Sequence, residues 1–151
     1  MDVSIIIVNY NTYNLTHNCI ESIIKNTCSI SFEIILVDNA SKDGSKEFFS
    51  KDNRIKYIYL EENIGFGRAN NVGVEYASGN FLFFLNSDTL LVNNAIYILY
   101  QYLIENPKVA ICGGNLYDVN MQLTHSFSKL FPSIVNDIDL ALNRNLSKLF
   151  I

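Results

Sequence analysis

Three short polar clusters carry the residue types that could do chemistry, and each one follows an unbroken apolar run. They are residues 9–12, 38–41 and 86–89. Tyr10 in the first cluster offers a flat aromatic face for a nucleobase. Asp38 in the second can accept hydrogen bonds from a base or a ribose. Asp88 in the third is a hard oxygen ligand that suits Mg²⁺ or Mn²⁺.

Each cluster taken alone is equally typical of a turn or a helix cap. The clusters nevertheless share one position, since each lies directly after a predicted strand. In a parallel sheet the carboxyl ends of the strands lie along one edge, and ligands bind there between the loops. We therefore predict that the three clusters converge on one pocket.

Apolar runs and helical spacing alternate along the chain and predict the elements that position these clusters. Strands are predicted at residues 3–8, 32–37, 55–60, 81–85 and 109–112. Amphipathic helices are predicted between them, one with Phe48 and Phe49 facing inward and one over residues 68–77 that Gly79 terminates. The strand over residues 81–85 is expected to be central and covered on both faces. The alternation predicts an α/β fold, a three-layer α/β/α sandwich around a mainly parallel sheet.

Composition narrows the class of protein. The chain has 151 residues, of which 49% are hydrophobic and 17% charged, and its net charge is -4. This size suits one domain with a sizeable core. The absence of a basic tract argues against nucleic acid binding. Three cysteines without metal-binding spacing predict free thiols in a reducing cytoplasm, and neither a signal peptide nor a membrane-length apolar segment is recognised.

Three nucleotide-binding alternatives disagree with the motifs. Gly65-Phe66-Gly67 resembles the start of a dinucleotide-binding fingerprint, but Asn70 stands where the third glycine belongs. These glycines also follow the third predicted strand, whereas that fingerprint belongs to the first turn. No phosphate-binding Walker loop is present. A nucleotidyltransferase would carry a Gly-rich, basic loop after its first strand, and the sequence there is Asn-Tyr-Asn-Thr.

Four motifs occur in a characteristic order within residues 3–132. They are SIIIVNYNT at 4–12, EIILVDNASKDGS at 33–45, NIGFGRANNVG at 63–73 and FLNSDT at 84–89. In these motifs the chain resembles family 2 glycosyltransferases of the GT-A fold, and most of all their bacterial branch of rhamnosyltransferase-like enzymes. The resemblance implies an inverting transfer of a sugar from a UDP-, dTDP- or GDP-linked donor to an acceptor hydroxyl in cell-surface polysaccharide synthesis. The acceptor would be a glycan or a lipid-linked sugar.

The resemblance also implies roles for individual residues. Val8 and Tyr10 would flank the base, Asp38 would hold the base or ribose, and Asp88 would bind a divalent metal, Mn²⁺ or Mg²⁺, at the position of the family's Asp-x-Asp motif. The first acid of that motif is Asn86 here. The predicted substrate-binding residues are Val8, Asn9, Tyr10, Asp38, Asn63, Gly65, Arg68, Asn71, Asn86 and Ser87, and the predicted metal ligand is Asp88.

The general base expected in the family's acceptor-binding half has no counterpart in a matching motif. Asp118, Asp137 and Asp139 are the late acids, and surface or capping roles are expected for them. We therefore predict a nucleotide-sugar-binding domain over residues 1–120 and a tail over 121–151 that begins a missing acceptor-binding half. The alternatives are a catalytically incomplete donor-binding domain and an interaction module that forms homodimers through the apolar tail. The predicted location is the cytoplasm or the inner face of the membrane.

Overall fold

The structure, a computed structural model, describes residues 1–124. Strands and helices alternate from the first residues onward. The strands are β1 (Val3–Asn9), β2 (Phe32–Asp38), β3 (Lys56–Tyr59) and β4 (Phe81–Asn86), followed by the short β5 (Leu116–Tyr117) and β6 (Leu123–Thr124). The helices are α1 (Tyr13–Asn26), α2 (Ser45–Phe49), α3 (Phe66–Glu75) and α4 (Ala95–Glu105). No helix within residues 1–124 has the length and apolar character needed to cross a membrane.

The first four strands form one parallel sheet in the order β3-β2-β1-β4. Every residue of β1 is buried, as its β-branched sequence without polar alternation predicts. The register pairs Asn9 with Asp38 and Val8 with Asn86. The polar residues that follow these strands therefore reach the same edge of the sheet, which is the arrangement that the strand-end clusters predict.

Helices cover both faces of this sheet, which confirms the three-layer α/β/α architecture. On one face, side chains of α1, α2 and α4 pack on the strands in a core that includes Ile5, Ile7, Ile20, Phe49 and Ile96. On the other face, α3 packs against β1 and β2 through a smaller core of four buried residues. This second core consists of Val8, Ile35, Val37 and Ala69.

Two glycines allow α3 and the segment that follows it to lie close to the sheet. A methyl group on Gly73 would lie 2.6 Å from Ile6 Cγ2, so the missing side chain lets α3 pack directly on β1. A methyl group on Gly79 would lie 2.5 Å from the backbone nitrogen of Ser4. Gly79 therefore fits the chain against β1 and does not terminate α3, which ends at Glu75. The prediction of its capping role is wrong.

The expectation that β4 is a central strand is also wrong for the described residues. Within residues 1–124, β4 pairs only with β1, and its residues alternate between packed and exposed. Phe81, Phe83 and Leu85 pack toward α1 and α4. Leu82 and Phe84 face the side of α3 and are 42% and 53% exposed, because α3 packs mainly over β1 and β2.

Two further predictions about local structure differ from what is observed. Residues 109–112 form no strand, and Ile111 is 87% exposed, because no neighbouring strand pairs with this segment within residues 1–124. Phe48 is 39% exposed where an inward position was expected. In a helix as short as α2, consecutive residues point about 100° apart, so Phe49 takes the buried position and Phe48 stays at the surface.

The chain has a first compact unit over Met1–Cys112, and a second unit begins at Gly113. The described part of the second unit is the antiparallel hairpin of β5 and β6. Asp118 Oδ1 accepts hydrogen bonds from the backbone N–H groups of Asn120 and Gln122, both at 2.9 Å, so this acid has the capping role expected of it. The domain boundary at residue 120 stays a prediction, and the apolar tail beyond residue 124 lies outside the described residues.

Candidate functional site

A cleft of about 280 Å³ lies at the carboxyl edge of the parallel sheet. Its walls come from the segments that follow β1, β2, β3 and β4, which are distant from one another along the chain. It is lined by Val8, Tyr10, Thr12, Asn39, Asn63, Phe66, Asn86, Ser87 and Asp88. Six of the eleven residues predicted from the sequence therefore meet at one surface: Val8, Tyr10, Asn63, Asn86, Ser87 and Asp88.

The wall that follows β1 is held by the buried amide of Asn9. Its Oδ1 accepts hydrogen bonds from the hydroxyls of Thr12 and Thr16 at 2.8 and 2.9 Å and from the backbone N–H of Thr12 at 3.3 Å. Its Nδ2 donates to Ser41 Oγ at 3.0 Å. Asn9 is fully buried and does not line the cleft, so its observed contacts are with the protein. It fixes the turn that presents Tyr10, whose side chain is 49% exposed.

Asp38 is the predicted residue whose position differs most from the expectation. It is fully buried, and both carboxylate oxygens are used within the protein. Oδ1 accepts from the backbone N–H of Ser41 at 2.8 Å, and Oδ2 accepts from the hydroxyl of Tyr57 at 2.7 Å. Burial together with this hydrogen bond to Asp38 raises the pKa of Tyr57 far above its usual value, so Tyr57 remains a donor. The carboxylate therefore fixes the loop after β2 from beneath the cleft.

Asn39, the next residue, is also buried, at 2% exposure, but it lines the cleft, and it was not singled out from the sequence. Its backbone N–H donates to the carbonyl of Asn9 at 2.8 Å, which continues the pairing of β1 and β2 by one residue. Its Nδ2 donates to Asn63 Oδ1 at 2.8 Å, and its Oδ1 accepts from the backbone N–H of Ile64 at 3.0 Å. Side chains alternate along an extended chain, which explains why Asn39 and not Asp38 faces the ligand side.

The Gly-rich loop supplies the wall that follows β3. Gly65 has φ 87° and ψ 156°, a conformation essentially restricted to glycine, and its N–H donates to Asn63 Oδ1 at 2.9 Å. This turn carries the chain into α3 and leaves Phe66 58% exposed on the cleft wall. Phe66 is a second lining residue that the sequence reasoning missed. Arg68 and Asn71 are exposed on α3 but do not line the cleft.

The remaining wall follows β4 and carries the acid. Ser87 Oγ lies 3.2 Å from Thr12 Oγ1, which ties this segment to the turn after β1. Asp88 is exposed in the cleft, and among the described residues its carboxylate makes no hydrogen bond. Both oxygens are therefore free for a ligand. It is also the one acid among the cleft-lining residues of the described chain, where no group of three metal-binding side chains occurs.

These side chains fit a divalent cation that takes most of its ligands from elsewhere. Mg²⁺ and Mn²⁺ prefer oxygen ligands, and Mg²⁺ usually keeps several waters and binds one or two carboxylates together with phosphate oxygens. A free carboxylate at Asp88, with side-chain oxygens of Asn86 and Ser87 nearby in sequence, matches that need. A site built only from protein ligands does not fit the described residues, because Asp88 has no acidic neighbour among those that line the cleft.

Comparison with known proteins agrees with this geometry. The model of Glycosyl transferase family 2 matches residues 4–147 of the chain. Glycosyltransferase GlyG of Streptococcus pneumoniae is 34% identical over 77% of this chain and 39% of its own length. The Escherichia coli UDP-Glc:alpha-D-GlcNAc-diphosphoundecaprenol beta-1,3-glucosyltransferase WfgD is 31% identical over 78% of this chain and 47% of its own length. The matched region thus spans less than half of these curated relatives.

Solved structures share the fold. The structure of S. aureus TarS 1-349 in complex with UDP-GlcNAc superimposes with a TM-score of 0.62 and 26% sequence identity, over 71% of this chain and 32% of that one. The mannosyltransferase PcManGT from Pyrobaculum calidifontis, in complex with GDP-Man and Mn2+, gives a TM-score of 0.61 over 67% of this chain and 32% of that one. It is 21% identical, so this second likeness concerns the fold alone.

Proposed function

Because the chain belongs to Glycosyl transferase family 2, we propose that it binds a nucleoside-diphosphate sugar in the cleft at the carboxyl edge of the sheet. The sugar would be transferred to an acceptor hydroxyl with inversion. The observation that carries this proposal is the convergence of Tyr10, Asn39, Asn63 and Asp88 around one cleft from four separate segments. An exposed aromatic ring, amide groups and a free carboxylate are the groups that a base, a ribose and a metal-bound diphosphate require.

Different cleft residues would contact different parts of the donor. Tyr10 and Val8 would contact the base. The polar contact first assigned to Asp38 would pass to Asn63, because Asp38 is buried and already paired whereas Asn63 is exposed and lines the cleft. Asp88, with Asn86 and Ser87 beside it, would hold the divalent cation. When bound, that cation would supply Lewis-acid stabilisation of the diphosphate charge that develops as the sugar–phosphate bond breaks. Arg68 and Asn71 stay proposed contacts for parts of the donor that extend beyond the cleft.

The general base is the missing part of this proposal. Deprotonation of the acceptor hydroxyl requires a group within hydrogen-bond reach, usually a carboxylate. Asp88 is the one cleft-lining acid in the described part of the chain, and it is assigned to the metal. The chain also covers less than half of its curated relatives. We therefore propose that the base and the acceptor site belong to residues outside the described region.

A second candidate function rests on the same observation. The chain would then be a donor-binding domain that holds a nucleotide sugar and transfers nothing by itself. Transfer or hydrolysis of a nucleotide sugar by the 151-residue chain would exclude this version. The proposed homodimer through the apolar tail concerns residues that the structure does not describe. Light scattering that shows a monomer would remove it.

The place of the reaction and the acceptor are further parts of the proposal. Cys19, Cys28 and Cys112 are all free, which is typical of a reducing compartment. We accordingly place the reaction in the cytoplasm or at the inner face of the membrane. The E. coli relative is named for a diphosphoundecaprenol-linked acceptor, which supports a glycan or lipid-linked acceptor in cell-surface polysaccharide synthesis here.

Calorimetric titration of the 151-residue chain with UDP, dTDP and GDP, each with and without Mn²⁺, tests the proposal. We expect at least one nucleotide to bind, more tightly when Mn²⁺ is present. Asp88→Asn keeps the shape of the side chain but removes its charge, so we expect this variant to fold normally and to lose the effect of Mn²⁺. Glu61→Gln is the matched control, since it removes an exposed acid that does not line the cleft.

Two results would contradict the proposal. If none of the three nucleotides binds, the cleft is not a donor site. If Asp88→Asn retains the full effect of Mn²⁺ while its circular dichroism spectrum is unchanged, the metal is held elsewhere.

A further inference from the structure

The amide of Asn63 is locked in one orientation by two hydrogen bonds. Its Oδ1 accepts from the backbone N–H of Gly65 at 2.9 Å and from Asn39 Nδ2 at 2.8 Å. The amide of Asn39 is fixed in turn, because its own Oδ1 accepts from the backbone N–H of Ile64 at 3.0 Å. A backbone N–H can only donate, so neither amide can rotate to exchange its oxygen and nitrogen without losing a hydrogen bond.

This locking decides what Asn63 offers to a ligand. A carbonyl oxygen has two lone pairs, and both of those on Asn63 Oδ1 are occupied by protein donors. Asn63 Nδ2 has two N–H groups and makes no hydrogen bond to any residue within 1–124. Asn63 is exposed and lines the cleft. The side chain of Asn63 therefore presents hydrogen-bond donors, and no free side-chain acceptor, to whatever occupies the cleft.

The order of the strands places Asn63 away from Asp88, the proposed metal ligand. Asn63 contacts Asn39, which follows β2, whereas Asp88 follows β4. β2 and β4 flank β1 in the sheet, so two inter-strand spacings of about 4.8 Å separate them, or roughly 10 Å. A nucleotide whose diphosphate lies at Asp88 would direct its base toward Tyr10, Asn39 and Asn63.

We propose that Asn63, held by Asn39, selects the base of the donor and favours a pyrimidine with ring carbonyls, uracil or thymine, over guanine. The inference rests on the proposed function, because it presumes that the cleft binds a nucleoside diphosphate. Uracil and thymine present two carbonyl acceptors and one N–H along their pairing edge. Guanine presents one carbonyl and two donor groups there. The N–H groups of Asn63 Nδ2 match a ring carbonyl of uracil or thymine. The donor groups of guanine would instead meet another donor at Asn63 and lack a partner there, which is the costlier mismatch.

The test compares nucleotide preference in the wild-type chain and in Asn63→Asp. Aspartate has the shape of asparagine and retains an oxygen for Gly65 and Asn39, but it replaces the two outward N–H groups with an acceptor. UDP, dTDP and GDP are titrated calorimetrically with Mn²⁺ into each protein. We expect the wild type to bind UDP and dTDP about tenfold more tightly than GDP, and Asn63→Asp to reduce or invert that ratio by about tenfold.

Asn53→Asp is the matched control, because it adds the same charge to an exposed position that precedes β3, at the opposite end of that strand from the cleft. We expect this variant to keep the wild-type ratio. Circular dichroism confirms the fold of both variants, and the wild-type ratio tests the inference even if Asn63→Asp does not fold.

The outcomes separate this inference from the proposed function. If no nucleotide binds, the proposed function fails. If UDP and GDP bind equally to the wild type, or if GDP binds more tightly, the base selection is refuted while donor binding stands. If Asn63→Asp weakens UDP and GDP by the same factor, Asn63 contacts the sugar or the phosphates and not the base, which also overturns the inference.

Discussion

Replacing Asn9 by alanine should destabilise the fold and distort the cleft in the same variant. The side chain is fully buried and makes four hydrogen bonds, three of them 3.0 Å or shorter. A buried hydrogen bond contributes about 1 kcal/mol net, and an unsatisfied partner costs more. Asn9→Ala removes the partner of Thr12, Thr16 and Ser41 together. The expected loss in the free energy of unfolding is therefore about 3 kcal/mol.

Urea denaturation of the 151-residue chain, followed by circular dichroism, measures this loss. For a chain of this size the corresponding fall in melting temperature is roughly 10 °C. Thr16→Val provides a graded comparison, since it keeps the side-chain shape and removes one short hydrogen bond to Asn9. We expect it to cost about 1 kcal/mol.

The same change should weaken nucleotide binding, because Asn9 fixes Thr12, and the Thr12 hydroxyl lies 3.2 Å from that of Ser87 beside the proposed metal ligand. The reasoning is refuted if Asn9→Ala loses less than about 1 kcal/mol, or if it is no less stable than Thr16→Val. Either result would mean that the hydrogen bonds of this buried amide are replaceable by water or by relaxation of the loop.

Two further predictions concern packing and thiol chemistry. Gly79→Ala should lower the free energy of unfolding by about 2 kcal/mol or more, since the added methyl would lie 2.5 and 2.7 Å from backbone atoms of Ser4 and Val3. Gly67→Ala is the control, because its added methyl would meet nothing within 4 Å. We expect thermal melts to show that Gly67→Ala is neutral or stabilising. Burial, with a smaller contribution from the charge of Asp88, raises the pKa of Cys19 to about 12. Because the thiolate is the reactive form, iodoacetamide at pH 8 should alkylate the exposed Cys28 but spare Cys19 until the chain is unfolded. Peptide mass spectrometry measures both modifications. Modification of Cys19 in the native chain at pH 8 would contradict this prediction.

The predicted fold follows from features that are local in sequence. The β-branched runs of β1 and β2 and the helical spacing of α1 identify buried strands and covering helices, because burial on both faces removes the polar alternation of a half-exposed strand. The polar clusters after these strands also indicate where the cleft lies, since parallel strands end at a common edge.

The incorrect predictions concern segments whose structure depends on a neighbour that is distant in sequence. The apolar run of β4 predicts a strand correctly, but it does not predict how many strands pair with β4. Within the described residues β4 pairs on one side only. Residues 109–112 are apolar enough for a strand but find no partner there. Gly79 is needed because Ser4 lies against it, a contact between positions 75 residues apart.

The sequence by itself determined the class of fold and the family of the chain, because both depend on residue types at fixed short spacings. Asp88 as the metal ligand stays a prediction. Only the tertiary structure decided that Asn39 lines the cleft while Asp38, equally buried, does not. The same holds for Asn63, whose free atoms are donors because Gly65 and Asn39 occupy its oxygen. Which atom of a side chain remains available to a ligand depends on the partners that folding brings to it, and spacing along the chain does not record those partners.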